Sequence, residues 1–243
     1  MDRSIIRTII LAAGIALAGL LAGNGLARGR AADRYVTVKG VTEREARADL
    51  AIWPLHVTGS DNDLTVAHAK LTKSIAGVRQ FLARHRIDTA QAELTGFSVT
   101  DASANQYSAD RAATRYVIRQ TMLIRSAHPE EVLAASQQIG ELAAIGVVIS
   151  SGSGGEFGGG GPTFVFSGLN KLKPSMIAEA TARAREAAEQ FARDSRSQLA
   201  GIRQANQGVF EILPRDQAQG ITEESQIAKV VRVVSTVEYF LKN

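Results

Sequence analysis

A glycine-rich run is the first part of the chain that could bind a ligand, because its composition is that of a phosphate-binding loop. Seven of the ten residues from Gly152 to Gly161 are glycine, and a glycine-rich segment that leads into a helix can hold a phosphate on its backbone N–H groups. Here the run leads into a β-like segment, Thr163–Ser167, and contains neither the P-loop spacing nor the dinucleotide-binding spacing. We therefore predict a flexible loop over 150–161, in which Phe157 is a candidate subunit contact or part of a disordered insert.

The side chains that could bind a metal are scattered. The four histidines form no H-E-x-x-H motif, and no two have the spacing of zinc ligands on one helix: His56, His68, His85 and His128. Asp61-Asn62-Asp63 is similar to the start of a calcium loop, but Val66 occupies the glycine position and Thr72 that of the bidentate glutamate. The sequence predicts no metal site, and these three residues are predicted to cap a helix.

Nucleophilic catalysis has equally little support. The chain contains no cysteine, which excludes thiol nucleophiles, thiolate metal sites and disulfides. Ser151 and Ser153 lie among glycines without completing a G-x-S-x-G turn. We predict no catalytic residues and no cofactor. One alternative stays open, a hydrolase of small molecules or peptides in which His56 or His128 meets a carboxylate and a serine only in the folded chain.

Composition indicates a globular protein that does not bind nucleic acid. Of the 243 residues, 45% are hydrophobic, which is enough for the core of one large domain or two small ones. The 28 basic and 24 acidic residues give a net charge of +4 and are interspersed along the chain. Since nucleic acid requires a concentrated basic patch, we do not expect it as a partner.

The first 34 residues have the composition of an export signal. The stretch from Thr8 to Ala27 contains no charge, and arginines precede and follow it. A stretch of this length can be cleaved as a signal peptide near Ala27, or retained as a single-pass anchor in the inner membrane. Both alternatives place the rest of the chain outside the cytoplasm, in the periplasm.

Beyond residue 34, hydrophobic periodicity predicts a mixture of strands and helices. One amphipathic helix follows Asp63 and reaches about His85, and another begins at Pro129. The predicted strands are Tyr35–Val41, Ala48–Thr58, Ala92–Thr100, Arg115–Arg125, Thr163–Ser167, Gly208–Leu213 and Lys229–Leu241. This order predicts an α+β fold of two similar units, about 35–128 and 129–243, with helices packed on antiparallel or mixed sheets after an N-terminal hydrophobic helix.

The segment from Asn170 to Gly201 is predicted to be one long helix. Pro174 suits the first helical position, and Gly201 suits the left-handed conformation that ends a helix. The apolar stripe consists mostly of methyl-sized side chains: Ile177, Ala180, Ala184, Ala187 and Phe191. Such a stripe lets a helix lie close to a sheet.

Two pairs of neighbouring residues are candidate subunit or partner contacts. Trp53 and Pro54 lie in a predicted strand that the proline assigns to a sheet edge or a bulge, and Tyr239 and Phe240 close the last strand, which is also predicted to be an edge. Edge strands carry unpaired backbone groups that another chain can join. The alternative for all these aromatic residues is packing in the core.

The order and spacing of several segments resemble the SIMPL-domain family, which includes bacterial periplasmic immunogenic proteins. The resemblance covers Tyr35 to Phe240, and its pieces are Val36-Thr37-Val38-Lys39-Gly40, Gly96-Phe97-Ser98-Val99, Tyr116-Val117-Ile118, Gly146-Val147 and the alanine-rich helix up to Leu199-Ala200-Gly201. Ala48-Asp49 stands where many members have Pro-Asp, and the glycine run is longer than the family's usual connection. The resemblance implies an exported, non-enzymatic protein that self-associates into rings or larger assemblies, with links to stress tolerance.

Residues and resemblance together predict an exported cell-envelope protein with a non-catalytic binding or assembly role. Its expected partner is a second copy of the same chain, and its expected membrane contact is the N-terminal segment where that segment is retained. A module that captures another protein on a sheet edge is the remaining alternative.

Overall fold

The computed structural model describes residues 12–23, 34–90, 92–104, 114–150 and 161–242. The predicted N-terminal hydrophobic helix is confirmed for residues 12–23, which form α1, and the flanking parts of the stretch from Thr8 to Ala27 lie outside the described residues. Within the described residues, no helix combines the length and the apolar composition needed to cross a bilayer.

The remaining elements confirm the predicted α+β class. The helices are α2 (Leu64–Arg84), α3 (Pro129–Gln137), α4 (Gly140–Ala144) and α5 (Leu169–Asp194). The strands are β1 (Tyr35–Arg47), β2 (Leu50–Asp61), β3 (Glu93–Asp101), β4 (Tyr116–Ser126), β5 (Val148–Ser150), β6 (Thr163–Val165), β7 (Gln198–Gln207), β8 (Glu211–Pro214) and β9 (Ala228–Lys242).

The chain forms two compact units, neither of which is a single stretch of sequence. The inner unit comprises Arg44–Leu172 and Ile212–Val231. The terminal unit comprises the described residues up to Glu43, Lys173–Glu211 and the chain from Arg232 onward.

In the inner unit, α2 packs on a five-stranded sheet. The strand order is β3-β4-β2-β5, and β6 also pairs with β2. Six of the large side chains buried in this core are Trp53, Leu55, Phe81, Met122, Ile124 and Phe164. Gly59 of β2 lies directly beneath the helix, because a Cβ atom there would lie 2.6 Å from the carbonyl oxygen of Ala67 and 2.7 Å from the nitrogen of Leu71.

In the terminal unit, α5 packs on the sheet β1-β9-β7, with β8 also paired to β9. The buried stripe of α5 repeats every four residues and is almost entirely alanine: Met176, Ala180, Ala184, Ala188 and Ala192. The prediction of a small-residue stripe is confirmed, but Ala187 and Phe191 are exposed, Phe191 by 55%. Alanines occur on several faces of this helix, so composition alone does not single out the buried one.

The long helix starts within one residue of the predicted Asn170, but the predicted roles of Pro174 and Gly201 at its two ends were wrong. The helix begins at Leu169, so Pro174 lies inside it, and it ends at Asp194. Arg196, at φ 53°, adopts the left-handed conformation expected of Gly201. Gly201 lies instead within β7, a strand that the sequence analysis missed because its exposed, polar residues show no apolar alternation.

The two units repeat one arrangement, a helix followed by an outer strand. Two residues after the last residue of each helix comes a left-handed arginine, Arg86 at φ 61° and Arg196 at φ 53°. The next residue then donates its N–H back into the helix, from Ile87 to Leu82 at 3.0 Å and from Ser197 to Ala192 at 2.9 Å. The strands that follow share the pattern Leu-x-Gly-apolar, as Leu94-Thr95-Gly96-Phe97 and Leu199-Ala200-Gly201-Ile202.

A buried ion pair fixes the start of β9. The side chain of Lys229 has no solvent exposure, forms an ion pair with the carboxylate of Glu223 and donates a hydrogen bond of 2.6 Å to the Glu223 carbonyl. Glu223 is itself 29% exposed. The lysine is therefore the member of the pair that depends on its partner for charge compensation.

Removal of the Glu223 carboxylate should lower the free energy of unfolding more than removal of the Lys229 ammonium group. We expect Glu223→Ala to lower the free energy of unfolding by about 3 kcal/mol, because it leaves a buried ammonium without a counter-charge. Lys229→Met should cost about 1 kcal/mol or less, since the remaining carboxylate can be hydrated. Urea unfolding followed by circular dichroism measures both, and equal costs for the two variants would contradict this interpretation.

Candidate interaction edges

The strand that carries Trp53 and Pro54 is not an edge, so that prediction was wrong. β2 pairs along its whole length with β4, and on its other side with β5 at residues 56–58 and with β6 at residues 50–52. Trp53 is fully buried. Pro54, which has no N–H to donate, lies opposite the interval between β5 and β6, and a central strand can tolerate a proline there.

The strand that carries Tyr239 and Phe240 is not an edge either. β9 lies between β1 and β7, and Tyr239 is 4% exposed, opposite Ile202. Tyr239 nevertheless lines a groove of about 410 Å³ between α5 and β7. Phe157 lies outside the described residues, so its predicted contact stays a prediction.

Each sheet has two end strands, β3 and β5 in the inner unit and β1 and β7 in the terminal unit. Of the three long end strands, β1 buries one face, whereas β3 and β7 are exposed on both faces. β3 pairs only with β4, and β7 only with β9, among the described strands. Almost every residue of both strands is exposed, including Leu94 (41%), Phe97 (55%), Val99 (48%) and Ile202 (54%). Each strand therefore presents a row of unpaired backbone groups with apolar side chains beside it, which is the combination that another strand can join.

Both edges are irregular at the same place in their shared pattern. The pairing of β3 with β4 shifts between Thr95 and Ser98, around Gly96 at φ 60°. The pairing of β7 with β9 shifts between Leu199 and Ile202, around Gly201. Such bulges bend an edge and prevent indiscriminate pairing of flat strands. Each edge is consequently selective for a strand that follows its bend.

An acidic residue at the end of β3 is held by its neighbours. The carboxylate of Asp101 accepts hydrogen bonds from the hydroxyl of Ser103 at 2.6 Å, from the N–H of Ser103 at 2.9 Å and from the guanidinium of Arg115 at 3.2 Å. The Ser103 hydroxyl, followed by Arg115, lowers the pKa of Asp101 from 3.8 to about 2. These bonds tie the end of β3 to the start of β4.

The hydrogen bonds that hold this end of β3 should therefore be lost at low pH. Because the folded pKa of Asp101 is lower than the unfolded value, its stabilising contribution is complete above about pH 4 and is lost as the pH falls towards 2. We expect an NMR titration of the Asp101 carboxyl carbon to show a midpoint near 2, and Ser103→Ala to move the midpoint upwards. A midpoint of 3.8 in the unaltered protein would show that these bonds do not form in solution.

The described histidines have few polar side-chain neighbours, and the candidate serines Ser151 and Ser153 lie outside the described residues. Nδ1 of His56 is 2.9 Å from the hydroxyl of Thr121, and Nε2 of His85 lies 3.9 Å from Glu141. In the described part of the chain, no group of three or more His, Asp or Glu side chains could hold a metal ion. Asp63 caps α2 as predicted, by accepting N–H hydrogen bonds from Thr65 at 2.7 Å and Val66 at 3.1 Å.

The fold and its edges define a class of protein, a repeated helix-on-sheet module whose most exposed strands are edge strands. Residues 36–237 match the SIMPL family, a family of proteins of unknown function (DUF541). The chain belongs to the SIMPL family, and the resemblance seen in the sequence is confirmed. A comparison with curated proteins finds no match.

The sequence did contain a signal for the true edges. The Leu-x-Gly-apolar pattern occurs in both β3 and β7, each time after a helix that is followed by a left-handed arginine. Aligning the two copies would have identified Gln198–Gln207 as the counterpart of Glu93–Asp101. The pattern alone does not identify an edge, because Leu17-Ala18-Gly19-Leu20 in α1 has it too, and it indicates the edges only together with the preceding helix.

Proposed function

We propose that this SIMPL-family protein is a non-catalytic component of the cell envelope that assembles with further copies of itself through β3 and β7. The observation that carries the proposal is the pair of exposed, apolar-bearing edge strands. The uncharged stretch from Thr8 to Ala27 between arginines supports the envelope location. The membership in a family without an assigned activity is consistent with a non-catalytic role.

Charge gives a small preference for pairing of β3 in one copy with β7 in the next. The preference is small because Glu93, Asp101 and Arg203 each have an ion-pair partner within their own copy, Arg125, Arg115 and Glu238. Antiparallel pairing of β3 with itself would bring Glu93 near Asp101, and pairing of β7 with itself would bring the two copies of Arg203 together near the centre of the strand. Like charges opposite each other destabilise a strand pair. Pairing of β3 with β7 avoids both contacts, and such a head-to-tail contact continues from copy to copy into a ring or a filament.

The mass of the protein in solution tests this proposal. Light scattering of the full chain, and of the chain without residues 1–33, should give masses that rise with concentration well beyond the 25.9 kDa of one copy. The shorter chain separates association through the described edges from association through the N-terminal segment. A single copy at every concentration of the shorter chain would contradict the proposal.

A further inference from the structure

A groove of about 690 Å³ crosses the inner unit at a different edge from β3. Its floor is the end of β2 at Thr58–Ser60, and one wall is α2 from Lys70 to Gln80. The other wall is the segment from Ile145 to Val148, which leads into β5. This volume falls in the range of sites that hold a small ligand or a short peptide.

The floor of the groove is an unfinished strand pair. β2 pairs with β4 as far as Asp61, but with β5 only as far as Thr58. The carbonyl of Ser60 accepts a hydrogen bond of 3.3 Å from Lys70 instead of bonding to a strand. Because both backbone groups of a strand residue point to the same side, the N–H of Ser60 also points into the groove.

The walls combine positive charge with apolar surface. Lys70 and Lys73 line the groove, and the described lining contains no carboxylate side chain. Lys70 is paired with Asp61 at 2.6 Å, whereas Lys73 is exposed and makes no ion pair with a described residue. Ile145 and Val148 are 54% and 59% exposed on the opposite wall.

The two walls of the groove approach each other at Gly77. A Cβ atom there would be 3.2 Å from side-chain atoms of Ile145 and Val147. The glycine therefore lets α2 lie close to the opposite wall.

We propose that this groove binds an extended peptide segment that carries a carboxylate side chain. The peptide backbone pairs with the free edge of β2 at Ser60, in the place where β5 does not reach. Its apolar side chains contact Ile145 and Val148, and its carboxylate lies against Lys73, the groove lysine that makes no ion pair with a described residue. This site uses neither β3 nor β7, so peptide binding can be tested independently of self-assembly.

Fluorescence anisotropy with short labelled peptides tests the proposal on the full chain. The probe is fluorescein-labelled Thr-Val-Asp-Val-Thr-Val, titrated with protein up to about 1 mM. We expect it to bind at least about fivefold more tightly than the same peptide with lysine in place of aspartate, and to weaken as salt is raised. A proline peptide, with proline at every position except the aspartate, should bind much more weakly, because it lacks the backbone donors of a strand in either register.

Charge reversal makes the assignment specific. Lys73→Glu lies on the exposed surface of α2 and should invert the preference, so that the lysine peptide binds more tightly than the aspartate peptide. Lys39→Glu makes the same change of charge at an exposed position of β1, and it should leave the preference unchanged. No detectable binding, equal binding of the acidic and basic peptides, or an unchanged preference in Lys73→Glu would each overturn the proposal. Undiminished binding of the proline peptide would overturn the strand pairing.

Discussion

Replacing Gly40 with alanine is expected to lower the free energy of unfolding by about 3 kcal/mol or more. A Cβ atom at this position would lie 1.8 Å from the carbonyl oxygen of Ala180 and 2.6 Å from the nitrogen of Ala184. Both are backbone atoms of α5, so no side chain can rotate away and the helix itself must move. The loss exceeds the gain of about 0.5–1 kcal/mol that alanine brings over glycine within a strand.

Urea unfolding followed by circular dichroism measures this cost. Gly201→Ala is the matched control, because a Cβ atom there meets nothing within 4 Å, and its cost should stay within about 0.5 kcal/mol. Gly59→Ala makes the equivalent change under α2 in the inner unit, where the nearest backbone atom would be 2.6 Å away, and should also destabilise. A Gly40→Ala protein as stable as Gly201→Ala would show that α5 does not lie on β1 as described.

Single lysines on the two edges are expected to weaken self-assembly strongly, and a mixture of the two variants is expected to restore one contact. Phe97→Lys blocks β3 and leaves β7 free, while Ile202→Lys blocks β7 and leaves β3 free. Each variant alone should weaken association by about tenfold or more, since a charge replaces an apolar side chain at the centre of the contact. When mixed, the free β7 of one joins the free β3 of the other, which gives pairs and nothing larger.

Light scattering of the two variants, alone and mixed, measures this outcome. Val209→Lys is the control, because Val209 is 84% exposed but lies between β7 and β8, and it should assemble like the unaltered chain. All these side chains are largely exposed, so the free energy of unfolding of each variant should lie within about 0.5 kcal/mol of that of the unaltered chain. If Ile202→Lys still assembled alone while Phe97→Lys did not, the contact would join two copies of β3.

Elements with strong periodicity and a clear cap could be predicted from the sequence. The helix α2 was located because Asp63 precedes an apolar repeat, and both the cap and the helix are present. The last strand was located because alternate residues from Val231 to Tyr239 are apolar except for Ser235, and β9 buries that face. The closeness of α5 to its sheet was also foreseen, since alanines dominate its stripe.

The strand order could not be predicted, because local sequence does not say which strands lie side by side. Pro54 indicated an edge, yet β5 and β6 pair with β2 on either side of it and leave room for a residue without an N–H. Trp53→Ala is accordingly a test of the core and not of an interface, because Trp53 is fully buried. The true edge β7 was hidden because its two faces are exposed and carry no apolar alternation.

The groove beside α2 could not be predicted for the same reason. Ser60, Lys73 and Ile145 are far apart in the sequence, and only the early end of the β2–β5 pairing brings an open backbone edge, a cation and an apolar wall together. Gly146, at φ 80°, is the single local sign of it, because a left-handed glycine after α4 turns the chain into β5.

The most direct measurement of the central claim is hydrogen exchange of the backbone amides in β3 and β7, at concentrations where the chain is a single copy and where it is assembled. Pairing of β3 with β7 predicts that outward N–H groups within Glu93–Asp101 and Gln198–Gln207 exchange more slowly in the assembly, while β9, paired on both sides, is unchanged. Assembly without added protection in either edge strand would contradict the account.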